Sequence, residues 1–423
     1  MKILANFATK ETAKPFQPNM NNIAIYTITS PLHDKRATQA ASEQFLGQLG
    51  INYDYCEGNF DSYGTHVLDL IYIRTGGAEG IFKSLLPRLR EQSHQPIYLL
   101  TSGKSNSLAA SMEILSYLRQ QGIAGEILHG SNDYITSRIG VLEQVARARQ
   151  ALQGARLGII GHPSDWLISS SYDAAAVKEK LGIELVEIPM QELLDEYERT
   201  PAVAADPLSE KAPSQAIKDA VPGAVRIYNA LKAIVSRRGL MGFTIRCFDL
   251  LTSVHNTGCV ALARLNAQGV VASCEGDVPA MLSMAIAQAL TGQTGFQANP
   301  ARIDVETGEM LFAHCTIPLN MVDSYELDTH FESGIGVGLR GYMQEGPVTL
   351  LKVSGSLDRS FVEEGTLVRN QAQPDLCRTQ QVIQLACKQQ ARYFLTNPIG
   401  NHHIILKGSH KQALTQLLAT IGC

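Results

Sequence analysis

Short apolar segments alternate with amphipathic segments over the first two thirds of the chain. A short apolar run predicts a strand, whereas apolar residues three or four positions apart predict a helix. In the first third, strands are predicted at residues 23–28, 67–73, 96–100 and 126–128, and helices at 38–49, 79–90, 107–121 and 137–152. Because strands that alternate with helices form parallel sheets, this pattern predicts an α/β domain.

A second series of strands and helices begins after the helix that ends near Gly154. Its strands are predicted at residues 155–161, 184–188, 242–245 and 270–274. A polar, proline-containing stretch at 200–222 is expected to be a helical or loop-like insertion. Beyond about Gly292, short β-rich runs are separated by glycine-rich turns, and a helix at 412–421 closes the chain. The sequence therefore predicts three domains, which are α/β at 1–153, α/β at 154–291 and β-rich at 292–423.

Composition and charge exclude several classes of protein. The chain has 423 residues, of which 45% are hydrophobic and 18% charged, with a net charge of −4. This is the composition of ordinary globular proteins. Lysine and arginine are scattered without a basic stripe, which argues against nucleic-acid binding. The polar N-terminal arm lacks the apolar run of a signal peptide, and no stretch reaches the ~20 apolar residues of a membrane span. We therefore expect a cytoplasmic protein that does not enter membranes.

The eight cysteines are too dilute for a disulfide scaffold and include no CxxC pair. We expect them to be reduced and mostly buried. Cys274 and Cys315 stand out only because a glutamate and a histidine lie beside them.

Four loops that follow predicted strands are polar and contain small residues. They are residues 74–80 (RTGGAEG), 101–107 (TSGKSNS), 161–166 (GHPSDW) and 274–279 (CEGDVP). Parallel sheets bind ligands at the carboxyl ends of their strands, so these loops are the first candidates for a site. Within them, Arg74, Lys104 and Ser164 are candidates for binding substrate hydroxyl groups.

Two of these loops resemble nucleotide-binding motifs without completing them. TSGKS ends like a phosphate loop, but Tyr98 stands where that motif requires a glycine. TGGAEG lacks the GxGxxG spacing and favours a tight turn, with anion binding at the next helix as the alternative. In a third loop, Trp166 is the only tryptophan of the chain and is suited to stacking on a ligand or to anchoring a domain interface.

Acidic and histidine side chains lie at the ends of several predicted strands. Glu275 and Asp277 precede an apolar helix, where they could cap the helix or bind a ligand. His314 ends one β-run, and His402 and His403 begin another. Glu275, His314 and His402 are hard or borderline metal ligands on separate elements, as in many catalytic divalent-metal sites. Asp277, His314 and His403 are also candidates for contacts with a substrate.

Seven strings in the C-terminal half carry a resemblance to a known enzyme family. In order, they are TIRCFDLL, TGCVALARLN, CEGDVPAMLSM, FQANPARID, FAHCTIP, HFESGIGVG and NPIGNHHIIL. On these strings the chain resembles the L-fucose and L-arabinose isomerase superfamily, particularly its shorter fucose isomerase-like members. TGGAEG and GHPSDWLISSSYD are looser matches nearer the N-terminus. The resemblance implies two flavodoxin-like, doubly wound domains followed by a β-rich, barrel-like domain, in agreement with the hydrophobic pattern.

The resemblance also implies Mn²⁺ and the interconversion of an aldose and a ketose through an ene-diol. Glu275 matches the family's first acidic metal ligand and proton-transfer residue. His402 matches its late histidine ligand, and His403 is the less suited of the pair. The implied partners are a small-molecule sugar and further copies of the same chain, as a trimer or hexamer. In such an oligomer the first domain often serves the pocket of a neighbouring subunit.

One position departs from the pattern of the family. The second acidic ligand usually lies in an Ala-Asp string, where this sequence has Asn299. Because an amide can coordinate a cation but cannot shuttle a proton, Asn299 is an altered ligand and catalytic position, with Asp277 or Asp304 as compensating acids. A metal-assisted isomerase is the leading hypothesis. The alternatives are a non-catalytic sugar-binding protein, or related chemistry such as aldol cleavage or epimerisation in the same pocket.

Overall fold

The computed structural model describes residues 21–203 and 206–423. Most of the polar N-terminal arm expected from the sequence lies outside these residues. The chain divides into two compact units, of which the first ends at Glu143 and the second begins at Gln144. All eight cysteines are free thiols, but four of them are partly exposed, so their burial is less general than the sequence suggested.

The first unit contains a five-stranded parallel sheet. Its elements are β1 (Ile23–Ile28), α1 (Lys35–Leu49), β2 (Asp54–Glu57), β3 (Leu68–Ile73), α2 (Glu79–Gln92), β4 (Ile97–Leu100), α3 (Ser107–Gln120), β5 (Gly125–Leu128) and α4 (Asn132–Leu152), which continues into the second unit. The strand order β2-β1-β3-β4-β5 is that of flavodoxin-like folds.

Apolar side chains cover both faces of this sheet. Along β1, Ala24, Tyr26 and Ile28 belong to one apolar cluster, whereas Ile23 and Ile25 belong to another. The first cluster includes residues of α2 and α3, and the second includes residues of α1 and α4. Because β1, β3 and β4 are buried on both sides, each reads in the sequence as a nearly continuous apolar run.

The second unit begins with a four-stranded parallel sheet in the order β7-β6-β8-β9. Its elements are β6 (Arg156–Ile160), α5 (Ala174–Leu181), β7 (Glu184–Ile188), α6 (Met190–Arg199), α7 (Gln215–Arg238), β8 (Gly242–Ile245), α8 (Asp249–Ser253), α9 (Cys259–Ala267), β9 (Val271–Ser273) and α10 (Val278–Thr291). The stretch predicted as an insertion at 200–222 contains a short 3₁₀ helix (Pro207–Lys211) and the beginning of α7.

The remainder of the second unit is mostly β structure. Its elements are β10 (Phe296–Ile303), β11 (Glu309–His314), β12 (Ser324–Asp328), β13 (Gly338–Tyr342), β14 (Gly346–Val353), β15 (Ser360–Gln371), β16 (Thr379–Leu385), α11 (Tyr393–Thr396), β17 (His403–Lys407) and α12 (Lys411–Thr420). Six of these strands close into an antiparallel barrel in the order β10-β11-β16-β15-β14-β17, and β12 and β13 form a separate hairpin. Phe296, Phe312 and Leu350 are among the residues that fill the apolar core of the barrel.

The fold class expected from the sequence is confirmed, because two doubly wound α/β layers precede a closed β-barrel. Among the elements for which the pattern gave no bounds are the strands β2, β12, β13 and β16 and the helix α6. The three predicted domain limits, 1–153, 154–291 and 292–423, stay predictions. Among the helices of the described residues, none has the length and apolar character needed to cross a bilayer.

Candidate functional site

Three neighbouring strands of the barrel bring Asn299, His314 and His402 towards the same end. Asn299 of β10 is paired with the residue that precedes His314 in β11. Ala298, the residue before Asn299, is paired with the residue that follows His402 in β17. Antiparallel pairing therefore gathers three polar side chains that lie far apart in the sequence.

Glu275 completes a cluster with the two histidines. It lies in the turn between β9 and α10, and its Oε1 is 3.6 Å from Nε2 of His314 and 3.5 Å from Nε2 of His402. The two imidazole rings meet edge to face, with their centroids 5.4 Å apart. The three ligand atoms all lie within 4.8 Å of one another. One carboxylate oxygen and two imidazole nitrogens thus surround a common volume.

An unusual backbone holds Glu275 in this position. Glu275 and Gly276 both adopt left-handed conformations, with φ angles of 65° and 71°. A Cβ on Gly276 would lie 2.5 Å from the carbonyl oxygen of His162, so a larger residue does not fit there. The carbonyl oxygen of Glu275 accepts a hydrogen bond from the backbone N–H of Ser164 at 3.0 Å. Such strained positions for residues other than glycine concentrate at functional sites.

Asp277 lies behind His402 and is fully buried. Its Oδ1 accepts the backbone N–H of Ala280 at 2.8 Å and so caps α10. Its Oδ2 accepts a hydrogen bond from Nδ1 of His402, also at 2.8 Å. The opposite ring nitrogen, Nε2, is turned towards Glu275 and has no hydrogen-bond partner among the described residues. Asp277 therefore caps a helix and orients a histidine at the same time.

The electrostatics of the cluster favour positive charge between its carboxylates. Burial raises the pKa of Glu275, but the imidazoles of His402 and His314 outweigh burial and hold that pKa well below its ordinary value. Burial also raises the pKa of Asp277, yet Lys352 and His402 lower it to about 2. Burial lowers the pKa of His402, whereas Glu275 and Asp277 raise it to about 9. Both carboxylates are therefore ionised at neutral pH.

The only tryptophan contacts the same carboxylate. Nε1 of Trp166 donates a hydrogen bond to Oε2 of Glu275 at 2.7 Å, although 49% of the tryptophan side chain is exposed. Its indole ring meets Phe248 edge to face at 4.7 Å. Arg246 fixes the loop of Trp166, because its Nη1 donates to the carbonyl oxygen of Pro163 at 3.0 Å and its Nη2 to Asp165 Oδ2 at 2.8 Å. The loop after β6 is thus held against the loop after β8.

The cluster opens on a cavity with about 470 Å³ of empty space. Glu275, Asn299 and His314 line it, together with His330 and Glu332 from the turn between β12 and β13. Five of the eight cysteines also lie on its wall, namely Cys247, Cys259, Cys274, Cys315 and Cys377.

The donor set of the cluster fits a divalent cation. A carboxylate oxygen with two imidazole nitrogens is a ligand combination used by Mn²⁺, Fe²⁺ and Zn²⁺. Nε2 of His402 is buried without a hydrogen bond, and a carboxylate on the far nitrogen of a ligand histidine is a frequent companion of such sites. Oδ1 of Asn299 accepts a hydrogen bond from Nδ2 of Asn401 at 3.0 Å, which orients its amide on the cavity wall.

Two residues named from the sequence lie in other surroundings of the second unit. His403 is in the barrel core, where its Nε2 is 3.1 Å from the hydroxyl of Tyr393 and its ring packs against Phe394. Burial there lowers the pKa of His403 to about 3. Asp304 lies in the turn before β11 and accepts the backbone N–H groups of Glu306 and Thr307. Neither residue belongs to the lining of the cavity.

Arg74 and Lys104 belong to the first unit. Nη2 of Arg74 donates to Oε1 of Gln39 at 2.6 Å, and the residue lines a cavity at the carboxyl ends of β1 and β3 with about 1480 Å³ of empty space. Lys104 is exposed in the loop after β4. The roles of both residues in substrate binding stay predictions.

Three residues of functional interest were not among the candidates from the sequence. Arg246 gave no signal, because an arginine after a short strand is common. Glu332 was visible in the string HFESG, but nothing in the sequence joined it to Glu275. Lys352 did carry a signal, since it interrupts the apolar strand VTLLKV, every residue of which is buried. A charged residue inside such a strand is rare unless it has a partner.

Comparison with known proteins finds similarity to sugar isomerases. No protein-family model matches the sequence. The chain is 22% identical over 333 residues to the sulfoquinovose isomerase of Priestia megaterium, and this match covers 74% of each of the two chains. It is 23% identical over 220 residues to the sulfoquinovose isomerase of Alkalicoccus urumqiensis, covering 50% of this chain and 49% of that protein. With the sulfoquinovose isomerase of a Clostridium species the identity is 28% over 177 residues, or 39% of this chain and 38% of the other. These similarities support the relationship to sugar isomerases, while the narrower fucose isomerase-like assignment stays a prediction.

Proposed function

We propose that this protein is a metal-assisted isomerase that interconverts an aldose and a ketose. The observation that carries the proposal is the cluster of Glu275, His314 and His402, of which Glu275 and His314 line a cavity with further polar side chains. The similarity to proteins named sulfoquinovose isomerase supports both the reaction class and a sugar as the substrate. The order of motifs in the C-terminal half supports the fucose isomerase-like type.

We propose that Glu275, His314 and His402 hold a divalent cation, most suitably Mn²⁺. Asp277 would contribute indirectly, because its hydrogen bond keeps a proton on Nδ1 of His402 and leaves Nε2 as the nitrogen that would exchange its proton for the cation. Asn299 lies on the same wall, and its neutral amide would contribute less to cation affinity than a carboxylate would. When bound, the cation polarises substrate oxygens and stabilises the negative charge that develops on them.

The isomerisation requires a group that removes a proton from C2 of the aldose and returns it to C1, through an ene-diol. Glu275 is less suited to this task than its position suggests, because a carboxylate with a strongly lowered pKa is a weak base. Glu332 lines the same cavity. Burial, followed by the negative charge of Glu275, raises the pKa of Glu332 above its ordinary value. We therefore propose Glu332 as the carboxylate that replaces the acid missing at Asn299.

Other side chains of the cavity would position the sugar. The exposed part of Trp166 provides an apolar surface next to Glu275, which suits the C–H face of a sugar ring. Asn299, which also lines the cavity, would offer its amide to sugar hydroxyls. Arg74 and Lys104 of the first unit are proposed to contact a substrate held by another copy of the chain, in a homo-oligomer. Size-exclusion chromatography with light scattering measures the oligomeric state directly.

The decisive experiment compares the wild-type protein with Glu275→Gln on a panel of sugars. The panel includes L-fucose, L-arabinose, sulfoquinovose and phosphorylated hexoses, each assayed with and without Mn²⁺. We expect metal-dependent conversion of at least one sugar by the wild type, and a loss of about 10³-fold or more in Glu275→Gln, because the cluster loses its only anionic ligand. Glu345→Gln, at an exposed position away from the cavity, serves as the matched control.

Two outcomes would contradict the proposal. Equal activity of wild type and Glu275→Gln would remove the metal cluster from the reaction. Sugar binding measured by calorimetry without turnover under any divalent metal would instead favour a non-catalytic sugar-binding protein, the alternative suggested by the amide at Asn299.

A further inference from the structure

Lys352 is a buried cation without a hydrogen bond. It lies near the end of β14, and only 1% of its surface is exposed. Its Nζ has no hydrogen-bond partner within the part of the chain that the structure describes. The carboxylate that pairs with it, Asp277, has its Oδ2 at 3.6 Å, which is longer than a hydrogen bond. An ammonium group has three N–H donors, and burying them unsatisfied is strongly unfavourable.

The ammonium group lies against a polar pocket that is separate from the cavity at Glu275. This pocket has about 630 Å³ of empty space and is lined by Lys352, residues 169–171 after β6, residues 354–356 after β14, and residues 398–400 before β17. It shares no lining residue with the cavity at Glu275. The backbone N–H of Asp173 donates to the carbonyl oxygen of Gly355 at 3.1 Å, which holds two of these segments together.

Three serines and a glycine line this pocket, and of the serines Ser170 is buried whereas Ser169 and Ser171 are exposed. Ser169, Ser170 and Ser171 line it, and their hydroxyls make no hydrogen bond to other residues in the described ranges. Gly400 stands opposite with a φ of 69°. A Cβ added there would lie 3.6 Å from Oγ of Ser170 and 3.9 Å from Nζ of Lys352. The absence of a side chain at Gly400 thus leaves a space in which one small group can reach both donors.

Charged groups of both signs lie around the pocket. Lys352 and the rim residue Arg359 are cationic, and Asp358 is the only carboxylate among the lining residues. Oδ1 of Asp358 already accepts the hydroxyls of Ser354 and Ser356, both at 2.6 Å. These contacts lower the pKa of Asp358 and keep it ionised. The lining residues carry one more positive than negative charge, but Asp277 offsets it at 3.6 Å from Nζ of Lys352. The unsatisfied N–H donors of Lys352, rather than a net charge, therefore favour a ligand rich in acceptor oxygens.

We propose that this pocket binds a small tetrahedral oxyanion of the phosphate or sulfate type, either free or as the terminal group of an ester. The oxyanion accepts hydrogen bonds from Nζ of Lys352 and from the hydroxyls of the serines at 169–171. It thereby supplies the acceptors that the buried ammonium group lacks. None of the lining residues of this pocket belongs to the metal cluster, although Asp277 contacts both Lys352 and His402.

Isothermal titration calorimetry on the metal-free protein tests this site with inorganic phosphate, sulfate, glucose 6-phosphate and neutral glucose. We expect saturable binding of one anion per chain and no binding of glucose at this site. Lys352→Met should weaken phosphate binding at least tenfold, and Ser170→Ala, which leaves the charge unchanged, at least threefold. Lys218→Met, an exposed lysine on α7, is the matched control and should bind phosphate as the wild type does. Ser170→Ala also keeps the test valid if Lys352→Met fails to fold.

The two sources of the oxyanion give different results. Phosphate binding equal to or tighter than that of glucose 6-phosphate indicates a free anion, whereas tighter binding of the ester indicates a phosphorylated metabolite. Glu275→Gln should leave phosphate binding unchanged, so the anion site and the isomerase proposal stand or fall separately. The proposal is overturned if the wild type shows no saturable binding, or if Lys352→Met and Ser170→Ala bind phosphate as tightly as Lys218→Met does.

Discussion

Oδ2 of Asp277 lies 2.8 Å from Nδ1 of His402, and both side chains are fully buried. This contact joins the N-terminus of α10 to the start of β17, two elements that lie far apart in the sequence of the second unit. It determines which nitrogen of His402 faces Glu275. The chemistry proposed for the cavity therefore depends on a residue that does not line it.

Replacing Asp277 by asparagine should weaken metal binding while keeping the helix cap. Asparagine caps helices about as well as aspartate, but its amide can present an N–H to Nδ1 and so disfavour the required tautomer of His402. We expect Mn²⁺ affinity to fall by about 10–100-fold in calorimetry. The free energy of unfolding should also fall by about 3 kcal/mol, because Lys352 loses the carboxylate that pairs with it. Asp173→Asn, at the N-cap of α5, is the control and should change neither quantity appreciably.

Trp166 should report directly on the occupancy of the site. It is the only tryptophan, and its indole N–H contacts Glu275, so adding Mn²⁺ should quench the intrinsic fluorescence and EDTA should restore it. Trp166→Phe keeps the aromatic contact with Phe248 but removes the donor to a carboxylate, which should lower kcat/KM by about tenfold. Unchanged fluorescence at a Mn²⁺ concentration that saturates the protein in calorimetry would place the ion elsewhere.

Glu332→Gln should separate proton transfer from metal binding. If Glu332 moves the proton, kcat should fall by about 10²–10⁴-fold while KM and Mn²⁺ affinity stay near their wild-type values. Exchange of the C2 hydrogen with solvent, followed by NMR in D₂O, should fall in parallel. Full activity of Glu332→Gln would contradict the proposal and favour Glu275 as the proton-transfer residue. Glu345→Gln is the control for the loss of one negative charge.

Gly276→Ala should disturb both stability and the site. The new Cβ would meet the carbonyl oxygen of His162 at 2.5 Å, and a left-handed conformation costs alanine about 1 kcal/mol more. Gly292, at the C-cap of α10, has a similar φ of 75°, but a Cβ added there would have nothing within 4 Å. In urea unfolding, Gly276→Ala should therefore lower the free energy of unfolding clearly more than Gly292→Ala does. Only Gly276→Ala should weaken Mn²⁺ binding. Equal losses of unfolding free energy in the two variants would mean that the backbone at His162 shifts readily to accommodate the new Cβ.

His66 should make the stability of the first unit depend on pH. Its side chain is 2% exposed, with Nε2 at 3.3 Å from Asp54 and Nδ1 at 3.5 Å from Asp69. Hydrogen bonding to Asp69 raises the pKa of His66 above its ordinary value. Its contribution is therefore fully present below about pH 6.5, the unfolded-state pKa, and is lost as the pH rises through the higher folded-state pKa. We expect His66→Gln to flatten the fall of the unfolding free energy between about pH 6 and pH 9. The exposed His94→Gln should keep the wild-type slope.

The elements that the sequence predicted well are those with a simple pattern of apolar residues. Strands β7 and β8 lie at the bounds expected from their apolar runs, and α10 follows the apolar helix after Asp277 to within one residue at each end. The elements that were missed have mixed patterns. Strand β12 has only one buried residue, and β16 buries Gln380 and Gln381, whose Nε2 atoms donate to neighbouring segments. A buried polar residue that bonds to a distant segment is predicted to be exposed, because the local sequence pattern does not include its partner.

The sequence by itself determined the fold class and supplied Glu275, His314 and His402 as candidate ligands, because strand and helix periods and the chemistry of residue types are local properties. Only the tertiary structure decided that these three meet at one cavity, that His403 is instead part of the barrel core, and that Asp277 and Trp166 each bond to a member of the cluster. Strand pairing and burial set these relationships, and both depend on segments far apart in the chain. Register across three barrel strands aligns the residues of the site, and no local pattern encodes that register.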